Sequence, residues 1–285
     1  MGKIIYVILL IFIVSGCTEN IDLSLNSMDT KRLVVEGQIT SDTTSQWVKL
    51  SYTSDYYDTL EYNVNDAKVM LSDGTDTCCL TEDSDVAGLY KTTPDYFGIP
   101  GKTYKLIISG IDTDEDGKME TYTAESTMPD FPAVDSIRLS LEHKFYIDVL
   151  QISIYAFDSP EEDDAYMYKV YKNNMLLTDS LSEWRTDEDE LFNGERLEDE
   201  PVIYLNQEID EYKVKDGNQY TLETSHIPHD YYLFLEDAQE EYQGSNPFSG
   251  NPANISTNIT GPNKAYGFFA AYSSDRKEKV FRIEK

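Results

Sequence analysis

Basic residues are scarce in this 285-residue chain: 23 Lys and Arg stand against 53 Asp and Glu, a formal charge of −30 at pH 7. Neutralising a phosphate backbone requires clustered Lys and Arg, so no nucleic-acid partner is expected. Docking on anionic lipid headgroups is disfavoured for the same reason. Cysteine and histidine are scarcer still, at three each. Cys78 and Cys79 are adjacent in a strand-like segment, where neighbours point to opposite faces, and no CxxC spacing accompanies them; two free thiols are expected. With only His143, His226 and His229 available, a Ser-His-Asp triad has little to draw on, and neither a GxSxG elbow nor a P-loop occurs. His226 and His229 have HxxH form, but the Glu and the i,i+4 spacing of a zinc hydrolase are missing and Pro228 bends the pair, which reads as packing at a helix entry. No catalytic motif stands out, and the chain is read as a non-enzyme.

Long apolar runs are also missing, with one exception at the start. Lys3 precedes the uninterrupted apolar stretch from Ile4 to Val14, which is followed by Ser15, Gly16 and Cys17. A charged start, a short apolar core and small residues before a cut are the parts of a secretory signal. The stretch is too short to cross a bilayer, which takes about 20 apolar residues as a helix. Val14-Ser15-Gly16-Cys17 resembles the bacterial lipobox, in which the Cys thiol is lipidated and becomes the new N-terminus. Residues 1–16 are therefore expected to be a lipoprotein signal peptide, with Cys17 as the lipidation site and residues 17–30, polar and aperiodic, as a tether.

What is abundant is aromatic: 22 Tyr, 11 Phe and 2 Trp. Disordered acidic chains are poor in such residues, so a folded body is expected. Its pattern is of short alternating segments between turn signals, as in Ala67, Val69 and Leu71 before Asp73 and Gly74, or Tyr104, Leu106 and Ile108 after Pro100 and Gly101. Only residues 228–243 carry helical spacing, through Tyr231, Phe234, Leu235, Ala238 and Tyr242. The expected fold is mainly β, with two β-sandwich domains in series, immunoglobulin-like or carboxypeptidase-regulatory-like. The first spans 31–130 and the second spans 133–285 with one packed helix; the Pro-containing break at 128–132 divides them.

Several segments together resemble one family. The run from Leu33 to Thr40, the pairs Asp66 with Val69 and Gly88 with Tyr90, the run from Gly101 to Leu106, and above all Asn246 to Ser249, Pro252, Asn258 and Tyr266 to Phe269 after a Tyr-bearing helix are similar to the Bacteroidetes lipoproteins called the domain of unknown function 4249 family. The resemblance implies lipoproteins of the outer membrane, often encoded beside TonB-dependent transporters, with no established activity and no catalytic residue to carry over. The residues after Cys17 are mildly acidic, which favours the cell exterior as the side faced.

Asp112, Asp114, Asp116 and Gly117 match the first half of a calcium loop, with Glu120 at the ninth position; position 123, where the bidentate Glu would stand, is Thr. A weak calcium site is what this motif admits. The stretch Glu183 to Glu200 holds nine acidic and two basic residues and reads as a long solvated loop. Trp184 and Phe192 within it, and Asn246, Pro247 and Phe248 in the later irregular loop, are the candidate partner contacts. The expected function is a lipid-anchored, non-enzymatic accessory or binding subunit of a TonB-dependent nutrient transporter. The alternatives are a glycan or peptide hydrolase, or a structural envelope lipoprotein with a weak calcium site.

Overall fold

A computed structural model describes residues 31–54, 60–144, 146–157, 164–188, 194–242 and 255–283. Cys17, Phe192, Asn246, Pro247 and Phe248 lie outside these, as do the signal peptide and the tether. The first half contains β1 (Leu33–Thr40), β2 (Trp47–Tyr52), β3 (Tyr62–Asn63), β4 (Lys68–Ser72), β5 (Thr77–Cys79), β6 (Thr81–Glu82), β7 (Leu89–Lys91), β8 (Thr103–Ile111) and β9 (Glu120–Thr127). The second adds β10 (Ala133–Lys144), β11 (Ile147–Phe157), β12 (Ala165–Lys172), β13 (Met175–Leu176), β14 (Arg185–Glu188), β15 (Arg196–Asn206) and β16 (Gln219–Ile227). Helix α1 (His229–Tyr242) and β17 (Tyr266–Val280) complete the described chain. The fold is mainly β, of sandwich class, with one packed helix. Cys78 and Cys79 are both free.

Local chemistry accounts for the hairpins. Gly74, at φ +85°, supplies the left-handed residue of the β4–β5 turn. Asn173 and Asn174, at φ 51° and 65°, form the two-residue connection between β12 and β13; two left-handed residues match the twist of a hairpin, and Asn tolerates them.

Strand pairing links the two halves more closely than domains in series would. A 10-stranded sheet runs β13-β12-β16-β17-β1-β2-β7-β6, with β14 on β12 and β3 on β2. Its joint is the parallel pair β1–β17, in which Val35 faces Gly267 and Ile39 faces Ala271. Residues 31–285 form one compact unit. On one face of the large sheet, Leu33, Val35, Ile39, Phe269 and Ala271 pack with Leu71, Leu106, Ile108 and Tyr122 of the 4-stranded sheet β5-β4-β8-β9. The register carries the same face across to Tyr168, Val170, Tyr220 and Leu222, which pack with Leu150, Ile152, Ile154 and Leu205 of the 3-stranded sheet β10-β11-β15. On the opposite face Phe268, Ala270 and Tyr272 receive α1 through Tyr231, Phe234 and Leu235. Alternation along one strand thus serves two cores, since successive side chains of a strand point to opposite faces.

The linker between the two smaller sheets is held down by His226. Its Nδ1 donates to the Asp130 carbonyl at 2.9 Å, its Nε2 meets the Asp164 carboxylate at 2.9 Å, and Ser273 also donates to the Asp130 carbonyl at 2.6 Å.

Candidate functional site

In its described residues the acidic stretch is largely strand rather than loop. After a single 3₁₀ turn, Leu181–Glu183, the chain enters β14, which pairs with β12, and from Arg196 it forms β15, which pairs with β11. The charges do not prevent this because alternation sends them outward: within β14, Thr186 is buried between exposed Arg185 and Asp187. The net charge of the stretch hid its period-2 pattern.

Trp184 belongs to the body of the protein rather than to a free tip. Its indole N–H donates to the Thr178 carbonyl at 3.2 Å, and Gln239 of α1 donates to the carbonyls of Leu181 and Trp184. The Lys169 ammonium sits 3.8 Å from the ring centroid, a cation–π contact. Burial pushes the Lys169 pKa down, with Glu223 opposing.

The ring lines a cleft of ≈ 430 Å³, within the size range of small-ligand pockets. One wall is Ser182, Glu183, Trp184 and Arg185; the other is five consecutive residues of β15, 201–205, with Tyr212 and Gln239 closing the space. Glu183 accepts from the Tyr212 hydroxyl at 2.5 Å and from the Ser180 N–H at 3.1 Å. Burial works against its charge, but these bonds outweigh it and hold the carboxyl below its ordinary range. The Tyr212 hydroxyl is driven upward, by burial first and then by Glu183. Among the described residues Arg185 approaches one carboxylate, Asp187, at 3.7 Å. A second, narrower cleft of ≈ 60 Å³ shares Val202 with the first; its lining includes Val134, Ile154 and Tyr168, together with Asp187, Glu188 and Glu200. The two meet at Val202 as one seam between residues 182–188 and β15, which at its narrow end reaches beneath the 3-stranded sheet to Ile154 of β11 and Val134 of β10.

The Asp loop lies at the β8–β9 hairpin. Asp112, Asp114 and Asp116 offer oxygens all within 4.8 Å of one another. Asp112 accepts from the backbone N–H groups of Asp116 at 3.1 Å and Gly117 at 2.8 Å, while Asp116 is paired with Lys118 at 2.6 Å. Glu120, expected as a fourth ligand, turns inward. It accepts from the Thr113 hydroxyl at 2.5 Å, the Tyr122 hydroxyl at 2.8 Å and the Asn263 amide. A carboxylate removed from water needs such donors, and those three consume it. Burial, with Glu120 adding to it, pushes Tyr122 up to about 12.

His226 and His229 do not converge on a common point. His226 is spent on Asp130 and Asp164, and His229 lies 3.9 Å from Glu188, beyond hydrogen-bond reach. Asp164 and the β15 edge had no sequence signal: each acquires its role only from strands that pair at long range.

The family model described as Domain of unknown function (DUF4249) matches residues 18–278. No curated protein matches the chain. A solved structure of a DUF4785 family protein from Legionella pneumophila is similar at 13% identity and a TM-score of 0.26, covering 69% of this chain and 52% of that one. This chain therefore spans about half the length of that protein, and a likeness so slight carries no argument.

Proposed function

Because the chain belongs to the DUF4249 family, we propose that it is a lipid-anchored binding subunit of the outer membrane, facing the cell exterior and serving a TonB-dependent nutrient transporter without catalysis of its own. The observation that carries this reading is the ≈ 430 Å³ cleft walled by Trp184, Arg185 and residues 201–205. A concave site with aromatic walls and a few polar groups suits recognition. Glu183, the carboxylate of that cleft, has both oxygens hydrogen-bonded and is held ionised, which fits an orienting group better than a general acid. Attachment would rest on Cys17 alone: among the described residues no helix is long and apolar enough to cross a membrane, and a body this acidic is repelled by anionic headgroups.

Affinity capture of the tagged protein from its native outer membrane tests the proposal. The transporter should be recovered with the wild-type protein and lost or much reduced with Arg185→Glu combined with Tyr204→Ala. Equal recovery from both would remove the cleft from the function. Cys17→Ala should release a folded, soluble protein; retention in the membrane would overturn the anchor.

The Asp loop supports a second, structural role, in which calcium held by Asp112, Asp114 and Asp116 stiffens the β8–β9 hairpin. With Glu120 committed to the interior, such a site would be weak.

A further inference from the structure

β15 ends the 3-stranded sheet, and its outer edge pairs with no strand among the described residues. Pro201, in the middle of this strand, has no N–H to offer. The seam runs along this edge, so consecutive backbone units of 201–205 line an open cleft. An unpaired edge beside a cleft is a template for a further strand.

The side chains around it state what kind of strand is accepted. The narrow cleft is apolar inside, through Val134, Ile154, Tyr168 and Val202, and suits one aliphatic side chain. Asp187, Glu188 and Glu200 line that cleft, three carboxylates against one cation of the adjoining cleft, Arg185, which approaches Asp187 at 3.7 Å. A second copy of this chain is disfavoured as the occupant, because each copy carries −30 and presents the same acidic edge.

We propose that the seam between residues 182–188 and β15 takes up an extended basic peptide segment of a partner protein, which adds to the edge of β15 as a strand. Lysine or arginine side chains of the guest meet Asp187, Glu188 and Glu200, and an apolar residue beside them fills the narrow cleft. Strand geometry requires this spacing, since alternate residues face the same side. The inference rests on the reading of the seam as a recognition site and names the chemistry of what it recognises; it does not depend on the partner being a transporter.

The probe is a synthetic peptide of about ten residues alternating lysine with valine, titrated at low salt into the soluble Cys17→Ala protein. Binding is expected, with new hydrogen-exchange protection of the amides in 197–205. N-methylation of alternate guest amides keeps every charge and removes the edge hydrogen bonds, and should weaken binding roughly tenfold or more. Asp187→Lys combined with Glu200→Lys should weaken it by about tenfold as well; if that variant is misfolded by circular dichroism, Asp187→Asn with Glu200→Gln takes its place. Binding that is indifferent to N-methylation is charge adhesion alone and overturns the proposal, as does protection that appears elsewhere or no binding at all. Loss of peptide binding with undiminished capture of the transporter removes this inference and leaves the proposed function standing. Peptide binding without transporter capture does the reverse.

Discussion

Gly267 lies in β17 opposite Val35, at φ +86°. A Cβ added there would stand 2.0 Å from the Val35 carbonyl oxygen. Gly267→Ala therefore pays twice. The left-handed backbone costs about 1–2 kcal/mol for any residue with a Cβ. The clash involves backbone, so β1 must move by about an ångström, and the parallel ladder loses one or two hydrogen bonds worth about 1 kcal/mol each. The expected total is about 2–4 kcal/mol, the upper range for a point substitution. That corresponds to a fall in Tm of roughly 10 °C for a domain of this size. Gly74→Ala is the control, because Gly74 has φ +85° but nothing within 4 Å of an added Cβ; it should cost only the backbone strain. Urea unfolding followed by fluorescence gives both numbers, and the two tryptophans allow a further check. Trp47 lies in β2 and Trp184 beside β14, so Trp47→Phe and Trp184→Phe proteins report opposite halves. Both should show the same midpoint and the same loss, since both halves hold the same strand. If Gly267→Ala costs no more than Gly74→Ala, or if only one tryptophan senses it, the reasoning is wrong.

Three further expectations concern charge and chemistry. The N–H groups of Asp76 and Thr75 and the Lys102 ammonium hold the Asp73 carboxyl well below the usual carboxylate range. A depressed carboxyl stabilises above its unfolded value, so Asp73→Asn should cost most above about pH 5 and progressively less as acid titrates the folded group, read from urea midpoints across pH. If Asp112, Asp114 and Asp116 bind calcium, an ion concentration tenfold above Kd adds about 1.4 kcal/mol and raises Tm, and Asp114→Asn abolishes the rise; a Tm indifferent to calcium and chelator would refute it. Cys79 is exposed, whereas burial pushes the half-buried Cys78 thiol up, followed by Cys79 and Asp95. Brief treatment with a thiol reagent at neutral pH should label Cys79 first, as mass spectrometry of the digest will show.

Local structure was legible in the sequence and long-range pairing was not. Alternation in Val69 and Leu71 or Tyr104, Leu106 and Ile108 is a property of a few neighbouring residues, as is the spacing that marks α1, observed at His229–Tyr242 against an expectation of 228–243. The parallel pairing of β1 with β17 is a relation between the ends of the described body, and no local pattern encodes it. Charge misled twice. Nine acidic residues concealed β14 and the start of β15, and the calcium-like spacing of Glu120 concealed a buried carboxylate with its own donors. The clefts were invisible because they arise where two sheets meet.

The pairing that closes the large sheet also sets a timetable. Tyr272 donates to Gln38 across 234 residues at 2.7 Å, and β1 has no other neighbour on that side. While the chain is being made, β1 can pair with β2 at once, but its other edge stays open until β17 emerges. Contacts this distant in sequence make for slow folding, and open edges invite association in the meantime. Under the export proposed above, the delay would have a use: a body that cannot finish folding early would still be extended on reaching a secretion pore.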